Sequence, residues 1–257
     1  MVAFAEGLLV VWKIDLRADA SEIWHLQQLA PCCDCRLVAA PDDQYCLGGP
    51  AFDQVTSAEE MLRQAEHVLA LLNGLARLER AEHRPAWLGE YVYRQQGASY
   101  WERFPTGKPQ IARPLSRSYE SAPPGYHSSD APIVKDSEYA RRKRIVSDPA
   151  LAEILPAVAG EITWQRLRVA YEKICAVMSK STKKGRWDNA LVKFHYATQD
   201  ELKRFKENVE DPRHSGINAV HGILDKSPLR STKMTENEGF EFVVKLLNTY
   251  VVKNPYL

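Results

Sequence analysis

The first helix that the sequence predicts covers residues 57–79, SAEEMLRQAEHVLALLNGLARLE. Ser57 can accept hydrogen bonds from the first backbone N–H groups, and Glu60 stands three residues later, as in a capping box. Apolar residues then recur at helical spacing along one face, namely Met61, Ala65, Val68, Leu69, Leu72 and Leu75. A helix with one apolar face must bury it, so we expect this helix to pack on a sheet, with Gly74 allowing a close approach.

Strand patterns lie on both sides of this helix. Residues 7–16, GLLVVWKIDL, and residues 35–40, CRLVAA, are rich in β-branched or other apolar residues. After the helix, residues 86–104 form two alternating segments around a Gln-Gln-Gly turn signal, which predicts a hairpin. The fold class that these patterns indicate is α+β. Residues 1–116 are predicted to form an α+β domain, a small sheet with a packed helix.

The second half is predicted to be all helical. Residues 117–137 hold three prolines and no sustained periodicity, which predicts a linker or a long surface loop. Thr163, Thr198 and Thr235 each precede a pattern of helical spacing, the last two with a Glu three residues later. Residues 138–257 are therefore predicted to form a helical bundle domain.

Composition limits the classes of protein to which the chain can belong. It has 257 residues, of which 34 are Lys or Arg and 33 are Asp or Glu, for a net charge of +1. Residues 1–136 have 13 basic and 18 acidic residues, whereas residues 137–257 have 21 basic and 15 acidic residues. The chain has no stretch of about 18 apolar residues, and its start lacks the basic region of a signal peptide. We therefore expect a cytoplasmic protein that does not contact a membrane.

The five cysteines do not form the disulfide framework of a secreted domain, because their number is odd and their spacing irregular. Cys32 and Cys35 have the spacing of a zinc knuckle, and Cys46 and His25 could complete a tetrahedral set. Since no second tight pair is present in the sequence, we interpret these thiols as small core residues beside a strand. We expect no metal and no other cofactor.

The strongest local concentration of functional residue types is ENVEDPRHSGINAVHG, residues 207–222, with Arg213, His214 and His221. An arginine can bind a phosphate and a histidine can take a proton, which is the minimum for cleaving RNA through its own 2′-hydroxyl. The alternative is an ordinary turn between two helices, in which Pro212 ends one helix and the histidines are capping or solvated side chains. The pattern leaves both interpretations open.

Two basic runs lie in the same half and are candidate nucleic-acid contacts. Phosphate binding depends on Lys and Arg side chains that neutralise charge, so two runs in one small bundle fit such a surface. Runs of charge are more often solvated helix faces, and only Trp187 offers a ring for base stacking. The candidate contacts are Arg141, Arg142, Lys143 and Arg144 in the first run and Lys183, Lys184 and Arg186 in the second.

Several of these stretches carry a resemblance. AEHVLALLNGLARLE, HRPAWLGEYVY, WQRLRVAYEKI and RFKENVEDPRHSG follow one another in an order that resembles a group of uncharacterised bacterial two-domain proteins. The C-terminal half resembles HEPN-type helical domains, in which an Arg is followed by a polar residue and then by a His. Many HEPN domains are metal-independent ribonucleases of toxin and phage-defence systems that act as dimers. The resemblance implies a defence-related homodimer, with Arg213, His214 and His221 as its catalytic residues.

Two classes of function follow, and the sequence does not decide whether the protein is an enzyme. As an interaction or regulatory protein, it would hold an unknown protein partner on the sheet face and the linker. As a ribonuclease, it would bind RNA on the basic bundle, with Arg213 on the phosphate, His221 or His214 as the general base, and Tyr171 or Glu172 lining the site.

Overall fold

The computed structural model describes residues 11–39, 45–96, 100–107, 136–179, 187–210 and 232–254. The chain divides into two compact units. The first unit comprises Met1–Leu72 and Arg84–Arg142, and the second comprises Asn73–His83 and Lys143–Leu257. The predicted linker at 117–137 lies, except for its last two residues, outside the described part of the chain.

The first unit contains a five-stranded antiparallel sheet. Its elements are β1 (Trp12–Arg17), α1 (Ala20–Leu29), β2 (Arg36–Ala39), β3 (Tyr45–Gly48), β4 (Trp87–Gln96) and β5 (Tyr100–Pro105), with α2 (Ala58–Glu79) between β3 and β4. The strand order is β2-β3-β1-β4-β5. β3 lies between β1 and β2, which α1 connects, and this is the split arrangement of ferredoxin-like units. β5 extends the sheet at one edge.

Alternation along the strands gives the sheet one buried face and one open face. The buried face, called the inner face here, includes Trp12, Ile14, Leu16, Leu47 and Val92, each at most 4% exposed. The indole Nε1 of Trp12 donates a hydrogen bond to the Val55 carbonyl at 2.8 Å, just before α2. Residues of α2 share a pocket with Val92, so this helix covers the inner face.

The N-terminal end of α2 carries the predicted capping interaction with one change of partner. Ser57 Oγ accepts a hydrogen bond from the Glu60 backbone N–H at 3.1 Å, as predicted. The Glu60 carboxylate, however, accepts from the backbone N–H and the hydroxyl of Thr56, at 2.9 and 2.8 Å. These bonds, the backbone one first, lower the pKa of Glu60, so its negative charge at the helix N-terminus is stabilised.

The described part of the second unit is helical beyond residue 142. Its helices are α4 (Pro149–Val158), α5 (Trp164–Ser179), α6 (Trp187–Lys193), α7 (Gln199–Glu210) and α8 (Glu236–Lys253), and α3 (Asp136–Ser147) precedes them. Thr198 with Glu201 and Thr235 with Glu238 form the predicted capping boxes. The fully buried ring of Phe205 contacts the rings of Tyr171 and Phe242 at centroid distances of 5.3 and 4.9 Å.

The predicted α+β fold class is confirmed, with a small sheet and packed helix in the N-terminal part and helices in the C-terminal part. The hairpin at 86–104 is present as β4 and β5. The prediction for Gly74 was wrong, because a Cβ there would lie 2.4 Å from the Leu155 carbonyl oxygen of α4. Gly74 therefore allows contact between two helices and not between a helix and the sheet. In the part that the structure describes, no helix combines the length and the hydrophobicity needed to cross a membrane.

Candidate ligand-binding face of the sheet

The predicted catalytic residues Arg213, His214 and His221 lie outside the described residues, as do Lys183, Lys184 and Arg186. Of the residues predicted to line that site, Tyr171 is buried and packs on Phe205. Glu172 accepts a hydrogen bond from Arg168 Nε at 2.6 Å on the surface of α5. The ribonuclease site therefore stays a prediction.

The first basic run, residues 141–144, lies on α3. Successive residues of an α-helix point about 100° apart, so four consecutive basic side chains spread around the helix and do not share one face. Arg141 and Arg144, three residues apart, are the two exposed members, whereas Arg142 and Lys143 are half-buried. On α3 the run thus presents two exposed cations, and nucleic-acid contact by residues 141–144 stays a prediction.

A different set of cations meets on the open face of the sheet, called the outer face here. Register connects one residue on each strand into a row that crosses the sheet: Arg36 pairs with Gly48, Gly48 with Lys13, Lys13 with Tyr93, and Tyr93 with Arg103. This outer row contains three cations and no acidic residue. Arg36 and Arg103 are exposed, and Lys13 is half-buried.

Aromatic rings hold two of these cations in place. Lys13 Nζ lies 4.0 Å from the centroid of the Trp101 ring and 5.5 Å from that of Tyr93. The guanidinium carbon of Arg103 lies 3.3 Å from the centroid of the Tyr91 ring. A cation over an aromatic face is attracted by the ring quadrupole, so Lys13 and Arg103 are restrained on the outer face.

A buried carboxylate, Asp15, lies on the same face of β1, two residues from Lys13. Asp15 is 6% exposed and sits opposite a bulge of β4, where the pairing shifts between Ile14 and Leu16. The bulge brings the backbone of Gly89 against Asp15, since a Cβ on Gly89 would lie 2.3 Å from the Cβ of Asp15. Only glycine provides the space that this arrangement requires.

Two protonated neighbours satisfy this carboxylate. The Cys46 thiol lies 3.7 Å from Asp15 Oδ1, and the Tyr93 hydroxyl donates a hydrogen bond to Asp15. Burial, and then the nearby Asp15 charge, raise the pKa of Cys46 to about 12 and the pKa of Tyr93 to about 12. At neutral pH both groups keep their protons, so Cys46 is a hydrogen-bond donor here and not a thiolate nucleophile.

The cysteines that were weighed as zinc ligands do not come together. Among the described residues, no group of three possible ligands with their atoms within 4.8 Å of one another contains Cys32, Cys35 or Cys46. Of the thiols weighed as zinc ligands, Cys46 faces Asp15, and Cys35 Sγ donates to the Ala30 carbonyl at 3.2 Å. The expectation of no metal remains a prediction.

Comparison with known proteins found no match among protein-family models, curated proteins or solved structures. The resemblance to HEPN-type domains therefore stays a prediction.

The outer row is a candidate binding feature that the sequence patterns did not reveal. Its members come from five strands, so they form a line across the sheet and no run along the chain. A local signal was present in the hairpin, where Tyr91, Tyr93, Trp101 and Arg103 occupy alternate positions on one face. Alternating aromatic and basic residues in a predicted strand would have identified half of the face.

Proposed function

We propose that this protein is an interaction protein whose first unit holds an anionic partner on the outer face of the sheet. The observation that carries the proposal is the outer row, three cations in register across five strands. Neighbouring strands are about 4.8 Å apart, so Arg36, Lys13 and Arg103 recur at intervals of roughly 10 Å. Such a line can follow an extended anion and neutralise several of its charges at once.

Gly48 is the member of the row on β3, and it is buried between Arg36 and Lys13. A Cβ on Gly48 would lie 3.2 Å from the Trp12 carbonyl and 3.4 Å from the Lys13 Cβ, so β1 and β3 are closely packed at this point. Gly48 adds neither a charge nor a ring to the row, so the three cations carry the proposal.

Exposed acidic residues of α2, on the other side of the sheet, favour anion binding at the outer face. On α2, which covers the inner face, Glu59 and Glu66 are exposed, with Arg63 between them. Residues 1–136 have more acidic than basic residues overall. An anionic partner is therefore attracted to the outer face more strongly than to the exposed acidic residues of α2.

Binding to a simple polyanion tests the proposal. The probes are inorganic polyphosphate and a polyglutamate peptide, titrated into the full chain by calorimetry at low and at physiological salt. We expect the wild type to bind both probes, with an affinity that falls as the salt concentration rises. The triple variant Lys13→Gln, Arg36→Gln, Arg103→Gln should bind them at least tenfold more weakly. The matched control removes three exposed cations elsewhere, Arg63→Gln, Lys203→Gln and Lys233→Gln, and should bind as the wild type does. Equal binding by the two triple variants would refute the proposal.

A further inference from the structure

Among the described residues of the outer face, aromatic side chains accompany the cations on the side of β4 and β5. Tyr91 and Tyr93 lie on β4, and Trp101 lies on β5, all on the same face as Lys13 and Arg103. The rings of Tyr91 and Tyr93 are 6.5 Å apart between centroids, and all three side chains are half-buried. A polyphosphate or an acidic peptide would use the charges of this face but would gain nothing from its rings.

We infer that the anionic partner of the outer face is a single-stranded nucleic acid. The inference rests on the proposed function, because it identifies the ligand of the same face. Proteins that bind single strands combine cations that follow the phosphates with aromatic side chains on which bases stack. Here the row of Arg36, Lys13 and Arg103 supplies the first element, and Tyr91, Tyr93 and Trp101 supply the second.

The stacking of Arg103 on Tyr91 extends the platform. At 3.3 Å from the ring centroid, the guanidinium group covers one face of Tyr91. Arg103 is exposed, so its side chain is accessible to a ligand. Guanidinium planes stack on nucleobases as aromatic rings do, so Arg103 can contact both a phosphate and a base.

Asp15 contributes by fixing Tyr93. The hydrogen bond from the Tyr93 hydroxyl to this buried carboxylate restrains the ring beside Lys13. A restrained ring loses little conformational entropy when a base stacks on it, which favours binding. Tyr93 is therefore a stacking residue, and Asp15 is a positioning residue that acts through it.

The geometry of the platform favours single strands over duplexes. In a duplex the base faces are stacked on one another and only the phosphates and groove edges are accessible. A sheet face with half-buried rings cannot reach those edges, so a duplex would be bound through its charge alone. A single strand offers both its phosphates and the faces of its bases to this surface.

Fluorescence anisotropy with labelled oligonucleotides tests the inference on the full chain. The probes are a single-stranded deoxythymidine 20-mer, the corresponding uridine 20-mer and a duplex of equal length. We expect both single strands to bind at least tenfold more tightly than the duplex at physiological salt. The triple variant of the outer row should weaken binding and reduce the salt slope of log K by about 2, since each phosphate contact with a single strand contributes about 0.7.

The rings are tested separately from the charges. The double variant Tyr91→Leu, Trp101→Leu keeps apolar side chains but removes two rings, and we expect it to weaken oligonucleotide binding by about tenfold or more. Its affinity for polyphosphate should fall by much less, because all three cations of the outer row remain and only the rings that restrain Lys13 and Arg103 are lost. The variant Tyr91→Phe, Trp101→Phe keeps the rings and should retain oligonucleotide binding. Circular dichroism establishes that each variant is folded.

The possible results separate the inference from the proposed function. If the Leu variant binds oligonucleotides as the wild type does, or if the duplex binds equally well, the inference is wrong, and polyphosphate binding still decides the proposed function. If the triple variant binds both polyphosphate and the oligonucleotides as the wild type does, the inference and the proposed function are both wrong.

Should the Leu variant fail to fold, photocrosslinking of a bromouridine 20-mer to the wild type replaces it. Crosslinks on β4 or β5 would support the inference, and crosslinks found only elsewhere in the chain would overturn it.

Discussion

At the scale of single residues, Asp15 shows how an acidic side chain is accommodated on the outer face, where we propose that an anion binds. The carboxylate is buried, and Cys46 and Tyr93 direct protonated groups at it. Hydrogen bonds to a buried carboxylate compensate for much of its lost hydration. Lys13, two residues along β1, remains on the outer face beside Trp101. The cations of the outer row therefore dominate the surface that a ligand meets.

This arrangement predicts the stability of the protein at alkaline pH. The pKa values of Cys46 and Tyr93 are about 12 in the folded protein, above the ordinary values of about 8.5 and 10. Since the folded state binds these protons more tightly than the unfolded state does, their contribution is complete below the ordinary pKa values and is lost as the pH rises toward about 12. We expect the free energy of unfolding, measured by urea denaturation, to fall between about pH 9 and pH 12.

The double variant Cys46→Ala, Tyr93→Phe removes both titrating groups. Relative to its own value at pH 8, its stability should decline less steeply than that of the wild type. Tyr139, an exposed residue of α3, provides the control, and Tyr139→Phe should follow the wild-type curve. A double variant whose curve is as steep as that of the wild type would show that Cys46 and Tyr93 do not titrate as described.

At the scale of elements, the features that the sequence predicted are those that depend on near neighbours. The capping residues of α2, α7 and α8 and the hairpin of β4 and β5 follow from residues within one or two turns of each other. The strand β3 was not predicted, because its four residues, YCLG, carry no alternation of their own. They become a strand by pairing with β1 on one side and β2 on the other.

The outer row could not be predicted for the same physical reason. Arg36 and Lys13 are on one line because both pair with Gly48, and Arg103 joins them only through the hairpin. Register between distant strands depends on burial of the inner face, which no local pattern reports. The contact made by Gly74 could not be predicted either, because the residue that it approaches, Leu155, lies about 80 positions further along the chain.

The helix α5 gives a prediction at this scale. Leu167 is 2% exposed in the core of the second unit, whereas Val169, two residues later, is 42% exposed. Leu167→Ala removes buried side-chain atoms and leaves a cavity, so it should lower the free energy of unfolding by about 2 to 5 kcal/mol. Val169→Ala is the matched control and should change stability by less than about 1 kcal/mol. Chemical denaturation followed by circular dichroism measures both, and equal effects would contradict the assignment of this core.

At the scale of the whole molecule, the two proposed activities belong to different parts of the chain. The outer row lies within residues 13–103, whereas the predicted ribonuclease residues Arg213, His214 and His221 come more than a hundred positions later in the sequence. Binding and cleavage can therefore be separated by mutation. A variant that loses nucleic-acid binding but keeps cleavage, or the reverse, shows which residues are responsible for each activity.

Cleavage of single-stranded RNA without added metal provides the deciding experiment. An arginine that clamps a phosphate and a histidine that accepts the 2′-hydroxyl proton are both required for the ribonuclease mechanism, and general-base catalysis contributes about 100- to 10,000-fold. On the interaction proposal, we expect the wild type to bind RNA and not to cleave it in the presence of a chelator. Arg213→Ala and the double variant His214→Ala, His221→Ala should then bind as the wild type does. Cleavage by the wild type that both variants lose, with unchanged circular dichroism, would instead establish the ribonuclease, and the outer row would then serve to hold its substrate.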